Sequence, residues 1–169
     1  MRAILRGHFK RTTRLWSLAA LAAIGFSAET RAVLADESIN TGYFGGVAIM
    51  GYDPVAYFTD NKAVKGSEKY SYDWLGTPWH FASSEHKEMF AADPIKYAPQ
   101  YGGYCAAEVV GGSVTVDIDP NAFKIIDGKL YLIYDKPHGD DFASHAENVA
   151  AADTNWPKVK GRLELDKHF

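Results

Sequence analysis

The chain has 169 residues, 47% of them hydrophobic and 23% charged, with 15 glycines, 7 prolines and a formal net charge of -3. That composition is ordinary for a globular protein and excludes a collagen-like or low-complexity chain. One cysteine, Cys105, excludes an internal disulfide framework.

Before Leu15 there are five basic residues (Arg2, Arg6, Lys10, Arg11, Arg14) and no acid, followed by the apolar run from Leu15 to Phe26. This is the build of a secretory signal. The run of 12 residues covers about 18 Å as a helix, short of the ~20 residues a bilayer core requires, so a stable membrane anchor is not expected. Val33-Leu34-Ala35 suggests a cut after Ala35, with Phe26-Ser27-Ala28 as the second choice. The expectation is an exported protein, periplasmic or secreted, with residues 1–35 as signal, 36–50 as an N-terminal lead, 51–157 as one domain and 158–169 as a polar tail. Cleavage leaves 12 basic and 20 acidic side chains, a net charge of -8. An acidic surface repels phosphate backbones, so nucleic acid is excluded as a partner and soluble cations are favoured. No internal repeat is visible after Asp36.

In chain order, Val47-Ala48-Ile49 suggests a short strand. Asp53-Pro54 then predicts an N-cap with proline at the first helical position, followed by one turn that presents Val55 and Phe58. Asp60 to Lys69 suggests a solvated loop. From Tyr70 to Trp74 aromatic and polar residues alternate, which argues a half-buried strand. Leu75 to Pro78 turns the chain, and Trp79-His80-Phe81 returns as the second strand of a hairpin, with His80 on the face opposite Trp79 and Phe81.

Ser83-Ser84 caps a helix with Glu85 and Glu88 in its first turn and Met89 and Phe90 as its apolar edge, and Asp93-Pro94 stops it. His86 lies one turn before Met89 and Phe90 and is expected to face inward. Gly102-Gly103 allows a positive-φ backbone and close approach of another segment, and Cys105 begins an apolar element running to Val110. Asp127-Gly128 between two apolar runs is a hairpin signal. Asp140-Asp141 is expected to open the last helix, with Phe142, Ala146, Val149 and Ala150 as its stripe, and Trp156-Pro157 to end the ordered pattern. These elements predict an α+β fold: a small antiparallel sheet built from hairpins and packed with short helices in a single domain.

There is no phosphate-binding loop, His-Glu-x-x-His, Gly-x-Ser-x-Gly or haem-attachment pattern, and so no enzyme class is indicated. The carboxylate pairs Asp117/Asp119 and Asp140/Asp141 read as solvated acids. Cys105 has three readings: a buried packing residue, a metal ligand or a reactive thiol. His86 and Met89 would add an imidazole and a thioether to its thiolate, with His80 as a further donor, in a soft set suited to Cu(I) or, with fewer sulfurs, Zn(II).

Gly51 to Phe58 (GYDPVAYF), Trp79 to Phe90 (WHFASSEHKEMF), Asp93 to Ala106 (DPIKYAPQYGGYCA) and Asp127 to Leu132 (DGKLYL) together resemble the YHS-domain family in its exported bacterial branch. The motifs run from about Gly51 to Trp156. The resemblance implies a small α+β domain and a metal-handling role. Metal-binding members carry cysteines at positions occupied here by Ala56, Ala82 and Glu85 or His86, so the usual thiolate site is absent.

Two functional expectations follow. The first is an exported domain that binds a transition metal, copper or alternatively zinc, through Cys105 with help from His86, Met89 or His80. The second is a non-catalytic module that takes a small-molecule ligand in an aromatic pocket made by Tyr52, Tyr57, Trp74, Trp79, Tyr101 and Tyr104, with Cys105 serving only as packing. A thiol enzyme with Cys105 as nucleophile and a histidine as base is the third class.

Overall fold

The computed structural model describes residues 38–166; the expected signal segment, Asp36, Glu37 and residues 167–169 lie outside the described residues. Its elements are α1 (Ala56–Thr59), β1 (Ser67–Trp74), β2 (Thr77–Phe81), α2 (Ser84–Ala92), α3 (Pro94–Tyr97), α4 (Ala106–Val110), β3 (Asp119–Ile126), β4 (Lys129–Ile133), α5 (Lys136–Ser144) and α6 (Ala146–Asp166). Short 3-10 turns, Ala48–Gly51 and Gln100–Gly103, precede α1 and α4. The result is an α+β domain with two separate antiparallel two-stranded sheets, β1-β2 and β3-β4, where one sheet was expected.

The two sheets belong to two copies of one plan. Ser67–Trp74 and Asp119–Ile126, Thr77–Phe81 and Lys129–Ile133, and Ser84–Ala92 and Lys136–Ser144 are each 52 positions apart, as are the two 3-10 turns. Strand pairing repeats at the same offset: Tyr72 faces Trp79 as Lys124 faces Tyr131, and Ser67 faces Phe81 as Asp119 faces Ile133. Both hairpins close on two residues of positive φ, Leu75-Gly76 and Asp127-Gly128, the I′ geometry that matches strand twist. Both 3-10 turns contain three consecutive left-handed residues, Ile49-Met50-Gly51 and Tyr101-Gly102-Gly103.

This overturns the expectation of no repeat. Few equivalent positions keep the same residue, among them Gly51/Gly103, Tyr52/Tyr104, Gly76/Gly128, His86/His138 and Phe90/Phe142. Backbone geometry and burial survive replacement of most side chains, whereas letter-by-letter similarity does not.

Three local expectations also change. Val47 to Ile49 is no strand, because Ile49 and Met50 take left-handed angles in the first 3-10 turn. The expected last helix is two helices. Asp135, not Asp140, caps α5 by accepting from His138 N–H, and the chain breaks at an extended His145 before α6. Helix α6 then continues through Pro157 to Asp166. Proline removes one donor from the helical ladder, and burial of Val159 at 0% exposure holds the turn beyond it, so residues 158–166 are helix and not a loose tail.

The core is aromatic in both copies. Trp79, Phe81 and Phe90 pack as one group in the first, with Trp79 and Phe90 centroids 5.1 Å apart. Tyr131 and Phe142 pack at 5.3 Å in the second. His80 is half-buried between two buried neighbours, as the strand alternation predicts. The buried Asn40 joins the copies: its side chain donates to the Gly103 and Val116 carbonyls, both at 3.0 Å, and its own carbonyl accepts from Ile49 N–H. Ser38 passes so close to Gly102 that a Cβ there would sit 1.8 Å from the Ser38 oxygen. This is the close approach expected of the glycine pair.

Candidate functional site

Asp53 is the best-connected polar side chain of the first copy. Pro54 starts the turn into α1 and Asp53 Oδ1 caps it, accepting from Val55 N–H at 2.8 Å and Ala56 N–H at 3.3 Å. A cap of this kind uses one oxygen. The other, Oδ2, accepts from Ala82 N–H at 2.8 Å and lies 2.6 Å from His86 Nδ1. The carboxylate is fully buried, and such a group persists inside a protein only when its oxygens are satisfied. Ser83 meanwhile caps α2 by accepting from His86 N–H at 3.1 Å. His86 is thus anchored at its backbone by Ser83 and at its ring by Asp53. A carboxylate accepting at Nδ1 leaves Nε2 as the outward nitrogen. It faces the Thr59 hydroxyl at 3.4 Å, whose one proton is also within reach of the Val55 carbonyl at 3.2 Å.

At the equivalent position of the second copy stands Cys105, 1% exposed. Its Sγ accepts from Tyr134 N–H at 3.3 Å, and Tyr134 is the counterpart of Ala82. Burial pushes the thiol up from its ordinary value of 9.0, against the pull of the Glu108, Tyr134 and Ala107 N–H groups. A buried thiol held in its neutral form is a poor nucleophile. His138, the counterpart of His86, turns away to its own cap: Asp135 Oδ1 lies 2.7 Å from its Nδ1, with the imidazole exposed and the carboxylate partly so.

The expected metal donors each have their own surroundings. His86 is held on Asp53, Cys105 on the Tyr134 amide, Met89 is half-buried against the core, and His80 sits half-buried beside Gly51. Among the described residues no three His, Cys, Asp or Glu side chains are grouped to hold a metal ion.

A cleft of about 200 Å³ opens where the two copies meet. Trp74 and Ile95 come from the first copy, and Gln100, Tyr101, Asp153 and Trp156 from the second copy and α6. Tyr101 and Trp156 centroids are 5.7 Å apart, and the Tyr101 hydroxyl donates to Asp153 Oδ1 at 2.9 Å. Burial, reinforced by that carboxylate, raises the Tyr101 phenol far above its ordinary value, so it remains a donor. Of the six aromatics expected to form a pocket, Trp74 and Tyr101 line this cleft. Tyr57 packs at a tilt against Phe123, Trp79 is buried against Phe90, Tyr104 packs on Trp156 and Tyr52 lies under the Lys65 ammonium.

Sequence reading missed Thr59, Asp153 and Trp156, and it gave Asp53 only its capping role. The available signals were a cap residue with a second oxygen to place, and Asp153 and Trp156 three apart on one helical face.

Hairpin, capped helix and buried acceptor, occurring twice, define a small α+β domain of two like units. Residues 55–101 match the family model described as YHS domain, so the chain carries a YHS domain in the segment where its motifs resemble that family. The matched span covers most of the first unit and ends in the 3-10 turn that opens the second, before Cys105. No curated protein and no solved structure matches the chain.

Proposed function

We propose that the protein is an exported, non-catalytic binding module that takes a small organic ligand in the cleft between its two units, with Cys105 as a packing residue. The observation that carries this reading is the cleft itself: aromatic walls with a few convergent polar groups at an inter-unit seam, the usual form of a small-molecule site. Supporting it, the thiol is buried, raised and satisfied by a backbone amide. Export rests on the signal-like residues 1–35, and the N-terminal sequence of the mature protein in the periplasmic fraction tests it.

The binding test is ligand-observed NMR with a set of small organic molecules against wild type, Cys105→Ala and Trp74→Ala. Binding retained in Cys105→Ala and lost in a folded Trp74→Ala is the expected result. Loss in Cys105→Ala with wild-type binding in Trp74→Ala overturns the reading.

One observation favours a second reading. A carboxylate hydrogen-bonded to one imidazole nitrogen is the usual support of a metal-ligating histidine, and Asp53 stands so to His86, within a family resemblance that implies metal handling. In this reading His86 Nε2 ligates copper or zinc and Cys105 does not. Metal content after purification without chelator would fall in His86→Ala and stay unchanged in Cys105→Ser; equal, negligible metal in all three proteins removes it.

A further inference from the structure

We infer that the inter-unit cleft selects an organic cation, a methylated ammonium compound of the size of choline. The inference rests on the cleft reading above and adds the chemical class of its ligand. Among the residues lining the cleft, Asp153 is the single charged one, and no lysine, arginine or histidine is present. An anionic ligand would therefore enter beside the solvent-exposed Asp153 carboxylate with no lining cation to receive it.

Two tryptophans and a tyrosine supply the walls. Aromatic faces attract a cation through their quadrupole, most strongly for tryptophan, and the attraction grows as water is excluded. A methylated ammonium suits such walls because it carries full charge on a surface of methyl groups and loses little hydration on entry. Ile39, Ile95, Ala98 and Pro99 complete an apolar lining that offers such methyl groups contact without hydrogen bonds.

Polar selection falls to a few side chains. Asp153 Oδ1 is engaged by the Tyr101 hydroxyl, which fixes the carboxylate against the wall, and Gln100 adds an amide able to hydrogen-bond a ligand hydroxyl, beside the indole N–H groups of Trp74 and Trp156. A volume of about 200 Å³ is below the usual range for drug-sized ligands and fits a molecule of choline's size. The whole surface works in the same direction, since the chain from Asp36 onward carries a net charge of -8 and draws cations toward it.

Asp153 and Trp156 both project from α6, one helical turn apart, while Trp74 ends β1 in the other unit. The charge and the aromatic walls are therefore brought together only when the two units pack.

The test titrates choline and dimethylbutanol, its uncharged analogue with carbon in place of nitrogen, into the full protein while tryptophan fluorescence and heat are recorded. Choline should bind at least ~10-fold more tightly than the alcohol, the size of effect expected from a partly desolvated cation–π contact with a carboxylate beside it. Asp153→Asn, checked for an unchanged melting curve, should weaken choline and leave the alcohol unaffected, which a purely structural role for Asp153 would not produce. If the alcohol binds as tightly as choline, the cation inference is overturned and the cleft reading stands. If neither binds and the small-molecule set gives no ligand, both fall.

Discussion

The two units of this protein hold the same backbone trap around different side chains. Asp53 and Cys105 each sit after a left-handed 3-10 turn and before a short helix, and each receives the first amide beyond the second strand of its hairpin, Ala82 in one case and Tyr134 in the other. The carboxylate has an oxygen left for His86, while the thiol has one sulfur and no reach to a histidine. As a result His86 is gripped and half-buried in the first unit, and His138 turns to Asp135 at the surface in the second. Two differences in a shared frame, Asp53 against Cys105 and Ser83 against Asp135, separate a unit that holds its imidazole on a buried carboxylate from one that holds it at the surface.

Removing the two acceptors should give the largest difference. Asp53→Ala leaves buried amides and a histidine unpaired and should cost about 3–5 kcal/mol, whereas Cys105→Ala should cost about 1–2 kcal/mol. Urea unfolding of both variants measures it, and equal losses would break the comparison.

The shared core residue should behave alike in both units. Phe90→Ala and Phe142→Ala remove rings that are 0% and 1% exposed, and each should cost about 3 kcal/mol or somewhat more. A large difference between them in the same unfolding experiment would mean that one unit is a lesser part of the core.

Equivalence of the acceptor positions has a sharper consequence. Cys105→Asp places a carboxylate where amides of Ala107, Glu108 and Tyr134 already converge, so it should be tolerated at a cost under about 2 kcal/mol. Val109→Asp, four residues on at a site that is also fully buried, should prevent folding, since a buried charge without donors is not tolerated. Failure of both variants alike would show that the two traps are not equivalent.

Thiol chemistry gives a smaller, kinetic effect. With burial raising it, Cys105 should be alkylated at neutral pH far more slowly than a free thiol, at a rate that rises with urea as the chain opens. Rapid labelling of the native protein would contradict a packing role.

The smallest effect is electrostatic. Asp135, accepting at Nδ1, raises His138 above its ordinary 6.5, and His138, chiefly through its backbone N–H, lowers Asp135 below 3.8. The histidine contribution is complete below pH 6.5 and is lost as pH rises through the raised value. The aspartate contribution is present above 3.8 and is lost as pH falls through the lowered one. The pair thus favours the fold between the lowered aspartate value and the raised histidine value, weakly because both groups are exposed. An NMR titration of His138 in wild type and Asp135→Asn checks this: the variant should return toward 6.5, and an unmoved titration would break the pairing.

Much of the local structure was legible in the residues. The Asp127-Gly128 turn, the Ser83 cap, the alternation around His80 and the need for Gly102-Gly103 all follow from rules that act over a few positions, and each recurs in the fold. The YHS resemblance was also carried by contiguous motifs, and the segment 55–101 bears it out. The last helix was misplaced because Asp140-Asp141 is a strong local start signal, while the actual start at Asp135 and the continuation past Pro157 depend on burial of Phe142 and Val159 against other elements.

The functional pieces divide in the same way. Sequence alone determined which residues have the chemistry to matter: one thiol, a helix-borne His86 and an abundance of aromatics. Only tertiary structure decided that Asp53 meets His86 across 33 positions, that Cys105 meets an amide and not a histidine, and that Trp74 and Trp156 share a cleft. Those pairings depend on how two hairpin units pack. Packing is set by the sum of buried contacts over the whole chain, so no short stretch of residues encodes it.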